Sequence, residues 1–294
     1  MLPLAQFSRI AGNGNTRRRV PLSQEGVQLL DLSATQRTMW KRVNATTRPI
    51  AILGLASLAS GVLVGGVGGR VVMGISARAA GTDVFGRLTE NGNVVGEFTI
   101  GGTIALVLFV GLLGGMAGSV GIVASDPWLR WLGPLQGVGF GMVVMSVYGY
   151  ETFTSIDFRI LDPLLLNVIM FLGLFLAFGV GVVGFRRVLD SRLPRATDGE
   201  QIGWLLVVGL GTLPLAISLL FFTSSSFCGC EPATEIGLAL LLMILSTMVY
   251  HSSNITAAIP PWCVRLASLT GYASTAAAVA FGLSRIVEDL QRLF

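Results

Sequence analysis

The chain has 294 residues, of which 52% are hydrophobic and 12% charged, and its mean hydropathy is +0.73. A soluble domain carries about 25% charged residues, so this composition excludes an ordinary soluble globule, a disordered chain and a disulfide scaffold. A net charge of +4 with 38 glycines fits instead an all-α polytopic membrane protein, in which glycine lets helix backbones approach closely.

The first 48 residues hold no apolar run long enough to span a bilayer. Residues 1–20 are polar and contain Arg17-Arg18-Arg19. Ser33-Ala34-Thr35-Gln36 resembles a capping box. It opens a short stretch with Leu32, Met39, Trp40 and Val43 on one side, the pattern of a helix lying on a membrane surface. A linker is the plainer reading of the same residues. Residues 1–48 are expected to form a cytoplasmic tail and residues 49–294 a transmembrane domain.

Seven apolar segments follow, at residues 50–74, 101–123, 132–150, 163–185, 202–222, 236–251 and 262–283. Asp126-Pro127 and Asp162-Pro163 each place a carboxylate before a proline, a helix-start signal, and Pro260-Pro261 does something similar. Trp128, Trp131, Tyr148, Tyr150, Tyr250 and Trp262 fall near segment ends, where an aromatic belt would sit. Pro134 and Gln136 interrupt the start of the third segment, and charge decides its status. Eight basic residues up to Arg48, against Glu25 and Asp31, mark the N-terminal region as cytoplasmic. Arg186, Arg187, Arg192 and Arg195 mark residues 186–201 likewise. Both lie on one side only if the third segment crosses. The expectation is therefore seven spans, N-terminus inside and C-terminus outside.

Between the first two segments, Asn91-Gly92 separates two β-favouring runs. Asn-Gly suits the type I′ turn of a two-residue hairpin, which would pair Glu90 with Asn93 and Phe85 with Phe98. A small outer β-hairpin is expected, as a lid or simply a connector. Arg70 lies near the outer end of the first segment, where a guanidinium needs a partner or must snorkel. Glu97, entering the second segment from the same side, is its natural partner, and the pair is read as a binding candidate or a structural ion pair.

Ser57, Gly61, Gly65 and Gly69 recur every four residues on the first segment, and Gly111, Gly115 and Ser119 on the second. Such stripes let two helices pack tightly, and Gly61, Gly65, Gly111 and Gly115 are expected to face each other. Cys228 and Cys230 fall in an outer loop and suit a disulfide or redox role better than metal binding. His251 and Ser119 lie toward the inner side, but Ser119 lacks the surroundings of a rhomboid-type nucleophile. With one histidine and three cysteines, a bis-histidine haem and a four-ligand Cys/His metal site are excluded, and no P-loop or HExxH is present. No catalytic constellation, metal or cofactor is expected. The basic charge gathers toward the N-terminal end, which points to membrane orientation and not to nucleic acid.

Gly69-Arg70-Val71-Val72-Met73, Leu88-Thr89-Glu90-Asn91-Gly92 and Gly96-Glu97-Phe98-Thr99-Ile100-Gly101-Gly102-Thr103 together resemble a pattern in uncharacterised multi-pass membrane proteins of GC-rich bacteria. The resemblance covers residues 69–103. It implies a bacterial cytoplasmic membrane and implies no activity. The leading expectation is a non-catalytic integral membrane protein whose partners are the lipid bilayer and other membrane chains. A small-solute transporter using Arg70 and outer carboxylates, and a membrane enzyme acting on a lipid-linked substrate, are the alternatives.

Overall fold

The computed structural model describes residues 43, 45–88, 94–95, 97, 99–154, 162–193, 208–213, 216–217, 234–255 and 259–293. The chain divides after Lys41, and the unit described is the one that follows. It is nearly all helical. We label its long helices α1 (Ala45–Ala79), α2 (residues 100–129), α3 (Gln136–Thr154), α4 (Leu164–Arg192), α5 (Thr234–Ile255) and α6 (Pro261–Leu293). Five continuous helical stretches are long and apolar enough to cross a membrane. This is the fold of a membrane-embedded helical protein.

One of the five stretches, Ile100–Gly149, runs for 50 residues, or about 75 Å if it were straight. That is more than twice the ~30 Å of a bilayer's hydrocarbon core. It does not continue straight. Residues 130–135 form a tight turn in which Gly133 adopts φ +55°, a conformation that glycine takes without a Cβ clash. The turn folds α3 back against α2.

α2 is the central helix. It packs on α1, α3, α5 and α6, and residues 118–129 are all buried. Over residues 118–129 the helix is covered by its neighbours and has no polar face to offer, which explains the near-uniform apolarity there. The main core draws on five helices, among them Leu53 of α1, Trp128 of α2, Phe140 of α3, Phe178 of α4 and Met243 of α5. Thr99 starts α2 by accepting a hydrogen bond from the Gly102 amide at 3.1 Å.

The glycine stripes meet where α1 and α2 cross. A Cβ on Gly61 would overlap the Gly111 carbonyl, and one on Gly115 would sit 3.0 Å from the Ser57 carbonyl. Gly65 faces Val110 and Gly111 at ordinary contact distance. Both helices widen to π geometry at this crossing, over Gly61–Gly68 and Val107–Leu113. Ser57 donates to the Gly115 carbonyl at 2.7 Å and adds a polar tie to the close approach.

Three expectations are corrected. Asp126-Pro127 does not start a helix; it lies in the last turn of α2. There the missing proline N–H deprives only the Val123 carbonyl of its helical donor. Trp128 is not a belt residue. It is 2% exposed, donates to the Thr247 hydroxyl at 3.0 Å and stacks edge-on against Tyr250 and Tyr272. Among the described residues, the segment after α1 forms no strand. Its pairing is a single antiparallel bridge, Leu88 to Val94, flanked by Val95 N–H to the Arg87 carbonyl at 2.8 Å. The register is one residue away from that of a two-residue Asn91-Gly92 loop. Val84 and Val95 are both buried against Ala77 at the end of α1, and burial of these side chains sets the register.

Candidate functional site

The most developed polar site lies at the end of the bundle that holds the 130–135 turn. Asp126 presents its carboxylate from the last turn of α2 with 3% of the side chain exposed. Oδ2 accepts from Arg130, one helical turn on, through Nε at 3.1 Å and Nη2 at 2.6 Å. Oδ1 accepts from Arg186 Nη1 of α4 at 2.5 Å and from Gln136 Nε2 at the start of α3 at 3.0 Å. The carboxylate therefore fixes three helices around one point.

A carboxylate offers about four acceptor positions, and all of these are engaged. In this arrangement the carboxylate is occupied by donors from the protein itself. The two guanidiniums differ in exposure: Arg186 keeps 25% of its side chain exposed and Arg130 45%. The cluster carries one negative and two positive charges, so its outer surface is cationic.

A second tie closes the same end. Arg48, near the start of α1, pairs with the Asp190 carboxylate near the end of α4. It also donates to the Asp190 carbonyl at 3.0 Å and the Leu193 carbonyl at 3.2 Å. These contacts place the start of α1 and the end of α4 at one end of the bundle.

At the opposite end Arg70 does reach Glu97, through the main chain: its Nη2 donates to the Glu97 carbonyl at 2.7 Å. Sequence alone does not say which oxygen of an acidic residue an arginine will meet. Ser119 is fully buried and donates to the Met116 carbonyl of its own helix at 2.6 Å. His251 stacks edge-on against Tyr250. Cys228 and Cys230 lie outside the described residues, and so do Asn91-Gly92 and Pro214. Among the described residues, no group of three or more His, Cys, Asp or Glu is placed to hold a metal ion.

The Asp126 cluster was missed by sequence reasoning, though one signal was present. Asp126 and Arg130 are four apart, the spacing of an ion pair on one helix face. Arg186 could not be joined to them from sequence, being 60 residues away. No family model, curated protein or solved structure matches the chain.

Proposed function

We propose that this chain is a non-catalytic integral membrane protein that acts as a subunit or assembly partner of a larger membrane complex. The observation that carries the reading is an open small-residue face on α4. Gly173, Ala177 and Gly184 share this face, all three are exposed, and among the described residues nothing approaches a Cβ built on Gly173 or Gly184 within 4 Å. Ile169, Val180 and Val188 flank them, each more than half exposed. Inside the bundle, faces of this composition bring two helices together, as at Gly61 and Gly115. A glycine face turned to lipid gains no such contact, whereas a helix from another chain would fill it. The Asp126 carboxylate supports this reading, because its four hydrogen bonds go to groups that tie α2, α3 and α4 together.

We further propose seven crossings in a cytoplasmic membrane, with the N-terminus inside. The 50-residue stretch, broken at Gly133, supplies two of them. Residues 208–213 and 216–217 are helical and fall within the expected fifth segment, and Gly211 is pressed against Ala51 of α1. The Arg48–Asp190 tie supports one side for the N-terminal region and the loop after α4.

The test is purification in mild detergent. The reading expects a species larger than one chain, and expects Gly173→Leu with Gly184→Leu to reduce it to a single chain without loss of helicity. A single chain for the unaltered protein in every mild detergent would remove the reading.

A further inference from the structure

We propose that the groove between the end of α5 and the start of α6 holds one anionic phospholipid, its phosphate on Arg265. The groove has a volume of about 660 Å³ and opens to the outside of the bundle. Ser253 and Ile259 form one side, Pro261, Val264 and Leu269 the other, and Tyr272 the far end. From Pro261 to Tyr272 is eleven residues, or about 16 Å along the helix, two to three turns into the apolar layer. The walls are mainly apolar, so an acyl chain fits them and a free hydrophilic solute does not.

Charge complementarity defines the other end of the occupant. Arg265 is exposed at the mouth of the groove and makes no ion pair or hydrogen bond among the described residues. No acidic side chain lines the groove. The start of α6 at Pro261 adds the positive end of a 33-residue helix. The two serines are poor competitors as donors: Ser253 donates to the Tyr250 carbonyl at 2.7 Å and Ser268 to the Val264 carbonyl at 2.8 Å. Arg265 is therefore the principal donor, and its fork matches two oxygens of a phosphodiester.

The depth also agrees. Trp262, 66% exposed, stands one turn nearer the end than Leu266 and marks the level of headgroups. Leu266 and Leu269, both more than half exposed, lie below it at the level of chains. The same end of the bundle carries Arg186, Arg187 and Arg192 on α4, so its surface attracts the anionic leaflet generally. The groove differs from that general attraction because it supplies apolar walls and a single unengaged guanidinium together. At the far end Tyr272 stacks on Trp128 with ring centroids 5.5 Å apart, which gives the groove a fixed floor.

The experiment uses the full chain in mild detergent, titrated with phosphatidylglycerol, phosphatidylcholine or inorganic phosphate and read by native mass spectrometry. The expected result is one retained phosphatidylglycerol, bound at least fivefold more tightly than phosphatidylcholine, and not displaced by phosphate. Arg265→Gln should lose that preference. Leu269→Gln, at a site 69% exposed and safe for folding, should weaken retention of both lipids. Arg187→Gln, an exposed cation at the same end, should leave retention unchanged. Equal binding of the two lipids, an unaltered preference in Arg265→Gln, or displacement by inorganic phosphate would each overturn the proposal.

Discussion

Arg186 of α4 donates to the Asp126 carboxylate of α2 at 2.5 Å, across 60 residues of sequence, at a point where Asp126 is 2% exposed. This pair joins the central helix to α4, a helix of 29 residues. Removing Arg186 takes the less exposed cation from a buried carboxylate and leaves it with Arg130 and Gln136, while removing Arg130 takes away a partner that already faces water. Arg186→Leu should therefore destabilise the protein by about 2 kcal/mol. Arg130→Gln should cost about 1 kcal/mol or less. Thermal unfolding in detergent gives the ranking, and equal losses would contradict it.

The glycine crossing makes a second prediction. Gly61→Leu must push α1 away from α2, because its Cβ would overlap the Gly111 carbonyl. Overpacking of this kind costs roughly 1–3 kcal/mol or more. Gly114→Ala, one residue off the seam with open space around it, should be nearly silent. The two variants can be compared by melting temperature.

At the other end of the bundle the contact of Arg70 with Glu97 is to its main-chain carbonyl. Glu97→Gln should then change stability by less than about 0.5 kcal/mol, as at an ordinary surface position. Arg70→Ala removes a charged donor and should cost about 1.5 kcal/mol or more. Limited proteolysis near Gly86 reads the loosening directly. An equal response from the two variants would assign the contact to the carboxylate.

The apolar segments were legible because span length and hydropathy are properties of local sequence. All six long helices fall on expected segments, several extending a turn or more beyond the apolar run, as α4 does to Arg192. What failed was whatever depends on neighbours. Asp126-Pro127 carries the local signature of a helix start. Only the tertiary fold brings Arg186 and Gln136 to its carboxylate and lets α2 run on past Pro127. Trp128 near a segment end suggests a belt, yet Gly271 of α6 leaves just the space its indole fills. The bridge register near Asn91-Gly92 follows burial of Val84 and Val95, a contact with α1 that turn chemistry cannot encode.

Topology is open to a direct check. In a background with Cys228, Cys230 and Cys263 replaced by serine, single cysteines at positions 132 and 190 should react from the cytoplasmic side only. Cysteines at 86 and 162 should react from the outer side only. Labelling of 132 and 190 from opposite sides would break the arrangement of α2, α3 and α4.

The central claim, assembly through the open face of α4, is tested most directly by a photo-crosslinking residue at position 173 in native membranes. The account predicts a discrete adduct of one further protein chain, reduced when Gly184→Leu is added and weak or missing from position 241, on an exposed side of α5 that lacks small residues. Crosslinks from position 173 to lipid alone, with no protein adduct, would contradict it.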